Sequence, residues 1–179
     1  MLSITIESTE LFDESKNEFI QIKGQTIQLE HSLVSISKWE SKWKKPYLVK
    51  NPPKTKEEAL DYVRCMTITQ NVNPMLYKCL SVQNFQDIQA YIEDPMSATT
   101  FPKDTRITRD IITSEVIYYA MFANNVPLDC QKWHLNRLLN VLKIFSIQNQ
   151  PKKKMSKAQI MERNRAINEM RKAQLKTKG

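Results

Sequence analysis

The sequence predicts a mainly helical domain with a small antiparallel β element at the N-terminus and a basic helical tail at the C-terminus. Only two of the 179 residues are glycines, Gly24 and Gly179, which favours helices joined by short turns. Apolar residues alternate with polar ones in the first thirty positions and recur every three to four positions afterwards, as in strands and helices respectively. We therefore predict three parts: a β element over 1–30 that packs on the body, a helical body over 31–149, and a basic arm over 150–179.

The first thirty residues are expected to form a hairpin or a small three-stranded sheet. Strands are predicted at 3–7, 18–22 and 26–29, where apolar and polar side chains alternate. Lys23 and Gly24 lie between the second and third segments and are predicted to form the turn that joins them. A sheet this small needs a helix to cover its apolar face, so we expect it to pack on the body.

A helix is predicted over 31–45, with Ser32 as its N-cap. Trp39 and Trp43 are four residues apart in this helix and therefore lie on one face. Two tryptophans on one helical face indicate either the core of the domain or a binding hot spot, and both interpretations stay open. On the second interpretation, Trp39, Trp43 and Tyr47 form a protein-binding surface.

Further helices are predicted along the body. Thr55 and Glu58 have the spacing of a capping box at a helix start, and short helices follow over 74–80 and 84–94. The segment 109–124, with Thr108 or a neighbour as its cap, is apolar nearly all round, which predicts a helix at the centre of the domain.

The last helix of the body is predicted over 129–147. The connection from the preceding helix is short, so the two helices are expected to form an antiparallel hairpin. Cys130 and His134 are four residues apart in this segment and could share a helix face, where both could bind a metal ion. Such a site needs two more ligands, and the sequence near it supplies none, so we expect an interior histidine.

The net charge of +8 belongs entirely to the last thirty residues. Residues 1–149 contain equal numbers of basic and acidic side chains, whereas 150–179 contain ten basic and two acidic ones. A helix over 157–175 is predicted, with an apolar stripe too thin to pack a core. The arm is interpreted as a solvated tail, as a segment that docks on another protein, or as a nucleic-acid-binding element. The basic residues singled out in it are Lys152, Lys153, Lys154, Arg163, Arg165, Arg171 and Lys172.

The sequence shows no motif of an enzyme. Phosphate-binding loops and dinucleotide-binding turns need several glycines, and a nucleophile elbow needs glycines beside its serine. The three cysteines are widely spaced with no CxxC pair, and the two histidines are 103 positions apart. We therefore expect no catalytic residues, no metal and no cofactor. The chain has no apolar run long enough to cross a membrane and no N-terminal secretion signal, so we expect no membrane partner.

Several segments resemble a group of small proteins encoded in the tail-morphogenesis region of tailed bacteriophages, and they are most similar to tail assembly chaperones. These segments cover most of the chain from about Leu29 onward. They read LEHSLVSISKWESKWKKPYL, DYVRCMTI, DPMSATTF, ITRDIITSEVIYYAM, DCQKWHLNRLLNVLKI and MSKAQIMERNRAINEMRKAQLKTKG.

The resemblance implies a largely helical, non-enzymatic protein of the host-cell cytoplasm. Such chaperones bind the long tape measure protein, keep it soluble and help to recruit tail tube subunits. Two other functions stay open: a permanent virion component, such as a connector or another tail or neck protein, and a nucleic-acid-binding protein that uses the basic arm. A homo-oligomer is compatible with each.

Overall fold

A computed structural model describes residues 1–13, 17–49, 51–99, 101, 111–149 and 156–175. This part of the chain is mainly helical, with antiparallel strands at the N-terminus, which confirms the predicted fold class to that extent. The chain divides into two compact units, Met1–Phe145 and Ser146–Gly179. The finer division into three parts stays a prediction.

The four strands of the first unit pair two by two and form one long antiparallel ribbon. Their bounds are β1 (Leu2–Ile6), β2 (Thr9–Asp13), β3 (Glu18–Ile22) and β4 (Gln25–Leu29). β1 pairs with β4, and β2 pairs with β3. Ile6 lies opposite Gln25, and Thr9 lies opposite Ile22. Two residues separate β1 from β2, and two separate β3 from β4. The β1–β4 pair and the β2–β3 pair therefore have the same register and form one continuous ribbon.

The predicted turn at Lys23 and Gly24 is wrong, because β3 and β4 follow one another along the same side of the ribbon. Gly24 does not adopt a positive φ, so it is not a turn glycine. A Cβ atom on Gly24 would lie 2.7 Å from the carbonyl oxygen of Ile6 and 2.7 Å from the amide nitrogen of Ser8. The glycine therefore permits the backbone of the opposite strand to approach closely.

Helices follow the strands in the first unit, and the last of them runs past the end of this unit at Phe145. Their bounds are α1 (Leu33–Trp43), α2 (Lys56–Met66), a 3-10 helix (Pro74–Cys79), α3 (Val82–Glu93), α4 (Ser114–Ala123), a second 3-10 helix (Leu128–Lys132) and α5 (Leu135–Gln148). Ser32 caps α1, and Thr55 with Glu58 forms the predicted capping box of α2, so both predicted caps are confirmed. In the second unit, α6 spans Lys157–Leu175.

The core lies between the ribbon and the helices. Ile4 and Ile27 face each other across the ribbon and are buried with Leu33 of α1 and Met66 of α2. β4 is tied to the end of α2, because the amide of Glu30 donates to the carbonyl of Met66 at 2.8 Å. The end of β4 and the end of α2 are thereby joined within one core.

The placement of α4 differs from the prediction. The helix is apolar nearly all round, but its main packing partner is α1, and the expected hairpin with α5 does not form. It buries only one face, which includes Ile117 and Met121. Its cap is Thr113, whereas the predicted cap region around Thr108 lies outside the described residues.

Candidate functional site

The three aromatic residues predicted as a protein-binding surface lie together but are unequally accessible. Trp39 stacks on Trp43 with ring centroids 6.1 Å apart and meets Tyr47 edge-on at 5.2 Å. Trp39 is only 1% exposed, so it belongs to the core, which is the first of the two interpretations, and it offers a partner almost no surface. Trp43 and Tyr47 are half-buried, and their role in protein binding stays a prediction.

Buried acids of α2 hold this aromatic cluster in place. The indole N–H of Trp39 donates to the backbone carbonyl of Glu58 at 2.9 Å. The carboxylate of Glu58 accepts from Lys45 Nζ at 2.5 Å and from the amide of Thr55 at 2.7 Å. The hydrogen bond from Lys45 holds the pKa of Glu58 below its ordinary value. One turn later, Asp61 accepts from the indole N–H of Trp43 at 2.8 Å.

Two hollows flank the loop that follows α1. One has a volume of about 410 Å³ and includes Trp39 and Pro46 in its lining. The other has a volume of about 400 Å³ and includes Tyr47 and Tyr62. Lys54 lines both, and its Nζ lies 4.3 Å from the ring centroid of Tyr47, an arrangement that cation–π attraction stabilises. Burial lowers the pKa of Lys54.

The two histidines meet in the interior, although they are far apart in the sequence. His31 Nδ1 is 2.6 Å from the hydroxyl of Tyr62. His134 Nε2 donates to the backbone carbonyl of Tyr91 at 2.9 Å, so the proton of a neutral ring lies on that nitrogen. Burial, and to a lesser extent His134, lowers the pKa of His31 to about 3. Both rings are therefore held as neutral, structural imidazoles near pH 7.

The structure does not place Cys130 and His134 on one helix. The 3-10 helix that contains Cys130 ends at Lys132, and α5 begins after His134. The hypothesis of a shared helix face is therefore wrong, because the chain changes direction between the two residues. Among the residues that the structure describes, no group of three or more histidine, cysteine or carboxylate side chains is placed to hold a metal ion.

The outer face of α4 is the feature that sequence reasoning missed. Ile112 just before the helix, together with Val116, Tyr119 and Phe122, is 43%, 48%, 74% and 62% exposed respectively. The spacing of three residues places Val116, Tyr119 and Phe122 on the outer face of the helix, and the exposed Glu115 lies on that face one turn before Tyr119. Ile112 precedes the cap Thr113 and lies at the start of this face. We call the four apolar residues Ile112, Val116, Tyr119 and Phe122 the α4 stripe. An all-round apolar pattern gives no sign of which face is covered, so only the packing on α1 reveals the stripe.

The helix that carries the α4 stripe is firmly anchored on its inner side. Glu40 of α1 accepts a hydrogen bond from the amide of Ser114 at 2.7 Å and another from the amide of Tyr47 at 2.8 Å. Tyr118 donates its hydroxyl proton to Gln131 Oε1 at 2.8 Å. Because α4 is fixed by these bonds and by its buried face, the α4 stripe is presented on a rigid element.

The basic residues of the arm are placed only in part. Arg163, Arg165, Arg171 and Lys172 lie on α6 with exposed side chains, whereas Lys152, Lys153 and Lys154 lie outside the described residues. Arg165 is 3.9 Å from Glu169, one turn further along the helix. A surface pair at that distance contributes little stability.

No known protein family, no curated protein and no solved structure matches the chain. Within the described ranges, no helix is both long enough and apolar enough to cross a membrane.

Proposed function

We propose that this chain is a non-enzymatic bacteriophage morphogenesis protein, similar to a tail assembly chaperone, that binds amphipathic helical segments of other tail proteins. The phage context rests on the resemblance of the quoted segments. The observation that carries the binding role is the exposure of the α4 stripe on a helix that α1 holds in place.

An apolar stripe of this kind suits a helical partner. Helix-binding surfaces present apolar positions at spacings of three and four residues, and partner side chains pack between them. Contiguous exposed apolar patches of several hundred Å² on a monomer are often functional. The aromatic side chains Tyr119 and Phe122 supply the large contact areas that are typical of binding hot spots. A tape measure protein, which is long and helical, offers matching apolar stripes.

The proposal is tested with an amphipathic segment of a tape measure protein and the full chain. The measurement is light scattering by the segment as it aggregates, together with its binding affinity. Tyr119→Lys should weaken binding by at least about tenfold, because a hot-spot aromatic contributes more than about 1.4 kcal/mol. The new lysine lies four residues after Glu115, a spacing that supports the helix, so the fold should be retained.

The matched control is Phe19→Lys, since Phe19 is an aromatic of β3 with 72% exposure, close to the 74% of Tyr119. The control should bind as the unchanged chain does. Failure of the unchanged chain to bind or protect the segment contradicts the proposed function. Loss of binding in Phe19→Lys but not in Tyr119→Lys contradicts the assignment to the α4 stripe.

A chaperone of this kind works in the host-cell cytoplasm and leaves before the particle is complete. Mass spectrometry of purified particles therefore separates it from a permanent virion component. Absence of the chain from particles supports the chaperone, whereas a defined copy number supports a connector or another tail or neck protein.

A second candidate function, nucleic-acid binding, is favoured by the exposure of the basic side chains on α6. Neutralising phosphates releases counterions, so the affinity should fall steeply as salt concentration rises. Filter binding at two salt concentrations, with a chain that lacks 151–179 as the control, tests this candidate. Equal binding by the truncated chain, or an affinity that does not change with salt, contradicts it.

A further inference from the structure

One face of α6 carries cations, asparagines and isoleucines but no acid. Each side chain of this face is three or four residues from the next, so they are aligned along the helix. We call this the asparagine face, and its residues are Lys157, Ile160, Asn164, Ile167, Asn168 and Arg171. Glu162 and Glu169, the two acids of α6, are seven residues apart and lie on the opposite side of the helix.

The two acids neutralise the opposite side of α6 and leave the asparagine face positive. Arg165 comes three residues after Glu162 and four before Glu169, and it is 3.9 Å from Glu169. By contrast, no acid lies three or four residues from Lys157 or from Arg171, so neither cation has an acid beside it on the helix surface. The positive charge of α6 is therefore directed to one side.

The composition of the asparagine face does not favour another helix as its partner. A coiled-coil seam buries apolar side chains at these spacings, and only Ile160 and Ile167 of the six residues are apolar. Packing the face against an apolar helix would also desolvate the cations Lys157 and Arg171 without a partner charge. Its charge and its amide groups instead match a polyanion that presents hydrogen-bonding groups.

The major groove of B-form DNA meets these requirements. It is about 12 Å wide and admits an α-helix, and each A·T pair presents the N6 and N7 atoms of adenine and the methyl group of thymine there. An asparagine amide forms two hydrogen bonds with adenine, and an apolar side chain contacts the methyl group. The asparagines and isoleucines of the face therefore suit A·T pairs, and its cations suit the phosphates. The major groove of A-form RNA is too narrow for side chains to read.

We infer that the chain binds duplex DNA by inserting the asparagine face of α6 into the major groove, with a preference for A·T pairs. DNA binding of this kind rests on the second candidate function and specifies its target and its contact face. The sequence also places three lysines before α6, within 152–154, and two lysines after it, at 176 and 178. Their charge adds to the attraction for phosphates, whatever the base sequence.

The experiment is fluorescence anisotropy of the full chain with labelled duplexes of about 20 base pairs, two turns of the double helix. An A·T-rich DNA duplex should bind at least about tenfold more tightly than a G·C duplex, because a bidentate asparagine contact discriminates between bases by such a factor. It should also bind more tightly than one of its single strands or an RNA duplex of the same sequence. The affinity should fall as the salt concentration rises.

Two arginines of α6 provide a matched pair of variants. Arg171→Gln and Arg165→Gln each remove one positive charge from an exposed side chain, so the net charge of the two variants is the same. Arg171→Gln should weaken binding at least about fivefold more than Arg165→Gln, because Arg171 lies on the asparagine face and Arg165 lies beside the acids. Circular dichroism verifies that both variants keep their helical content.

Asn164→Ala separates base reading from attraction to phosphates. The change should reduce the preference for the A·T-rich duplex but leave the salt dependence as it is, because an uncharged side chain releases no counterion. Alanine has a higher helix propensity than asparagine, so weaker binding would not result from loss of α6.

Several outcomes overturn the inference. Equal affinities for the A·T-rich and G·C duplexes contradict base reading, and equal effects of Arg171→Gln and Arg165→Gln contradict the assignment to the asparagine face. Polyglutamate that competes as well as unlabelled duplex assigns the face to an acidic protein instead. Equal or tighter binding of the single strand or the RNA duplex contradicts duplex recognition but leaves the second candidate function intact. No binding to any of these nucleic acids contradicts both.

Discussion

His31 and His134 pack edge to face in the interior, with their ring centroids 5.1 Å apart. The contact is held by the backbone, since the amide of Leu135 donates to the carbonyl of His31 at 2.8 Å and Ser32 forms a β-bridge with His134. The starts of α1 and α5 are therefore joined at the point where the two imidazoles meet. Two positive charges cannot be placed there without a large cost, because neither burial nor the neighbouring ring favours protonation.

The stability of the fold should decrease as the pH falls below about 6.5. The pKa of His31 is lowered to about 3 in the folded chain, whereas in the unfolded chain it takes its ordinary value of about 6.5. Between pH values of about 3 and 6.5 the unfolded state binds a proton that the folded state does not. The free energy of unfolding therefore decreases as the pH is lowered. The contribution is about 1.4 kcal/mol per pH unit, or about 2 kcal/mol near pH 5. Urea unfolding at neutral pH and near pH 5 measures it.

The control for this prediction is His31→Gln, whose side chain can form a hydrogen bond with the hydroxyl of Tyr62 but does not titrate. Other groups also titrate in this range, and the difference between the two chains removes their contribution. The pH dependence should be shallower for His31→Gln by the amount given above. If the free energy of unfolding changes equally with pH in the two chains, His31 takes up its proton in the folded chain at the same pH as in the unfolded chain, which contradicts the prediction.

Gly24→Ala should destabilise the ribbon by about 1 to 3 kcal/mol, the cost of forcing an extra carbon into a packed region. The added Cβ would lie 2.7 Å from backbone atoms of Ile6 and Ser8, and a backbone cannot rotate away as a flexible side chain can. Thermal unfolding measures the loss. The control, Lys23→Ala, changes an exposed neighbour and should shift stability by no more than about 0.5 kcal/mol. Equal stability of Gly24→Ala and the unchanged chain contradicts the close approach.

Local signals in the sequence predict the ends of helices well. Thr55 and Glu58 lie three residues apart at the start of α2, and both halves of their capping box form. Such a motif depends only on neighbouring residues, so the sequence contains everything that determines it. The strands β3 and β4 are found for the same reason, because their alternation is local.

Pairing and burial depend on distant residues and were predicted less well. β2 lacks alternation, since its apolar residues Leu11 and Phe12 are adjacent, so the local pattern does not reveal the partner of β3 and favours a turn at Gly24 instead. The meeting of His31 with His134 likewise depends on a β-bridge between chain segments about one hundred residues apart. The α4 stripe was missed because the covering of one face by α1 leaves no local signal.

Trp39→Phe should destabilise the fold more than Trp43→Phe. Trp39 is buried, and Trp39→Phe removes both part of a core ring and the indole hydrogen bond to the carbonyl of Glu58, at a cost of about 1 to 3 kcal/mol for the cavity and the lost bond. Trp43 is half-buried, and Asp61 keeps its bond from Lys42 when the indole N–H is removed. Urea unfolding of the two variants gives the comparison. A larger loss for Trp43→Phe contradicts the assignment of Trp39 to the core.

The same two variants test the predicted binding role of this cluster. Binding of the tape measure segment by Trp39→Phe should be unchanged wherever the variant is folded, because Trp39 has almost no exposed surface. Weaker binding by folded Trp43→Phe assigns Trp43 to the partner surface. Unchanged binding by both variants would show that the tape measure segment contacts neither Trp39 nor Trp43.

Glu40→Ala should loosen the start of α4. The carboxylate of Glu40 accepts from the amides of Tyr47 and Ser114, so it joins α1 both to the loop that follows it and to the helix that carries the α4 stripe. Removing it leaves two part-buried donors without this acceptor, at a cost of about 1 to 3 kcal/mol each when water cannot replace it. Hydrogen exchange at the amides of Ser114 and Tyr47 should therefore accelerate more than exchange in α2.

The matched control is Ser41→Ala, the next residue of α1, whose exposed hydroxyl donates to the carbonyl of Lys38 at 2.8 Å. This change should leave exchange at Ser114 as it is in the unchanged chain. The hydrogen bonds of Glu40 reach the start of α4 and not its outer face. Weaker partner binding by Glu40→Ala would therefore result from a less firmly held α4, and not from a lost contact between Glu40 and the partner. Unaltered exchange at Ser114 in Glu40→Ala would mean that burial of Ile117 and Met121 alone fixes α4 on α1.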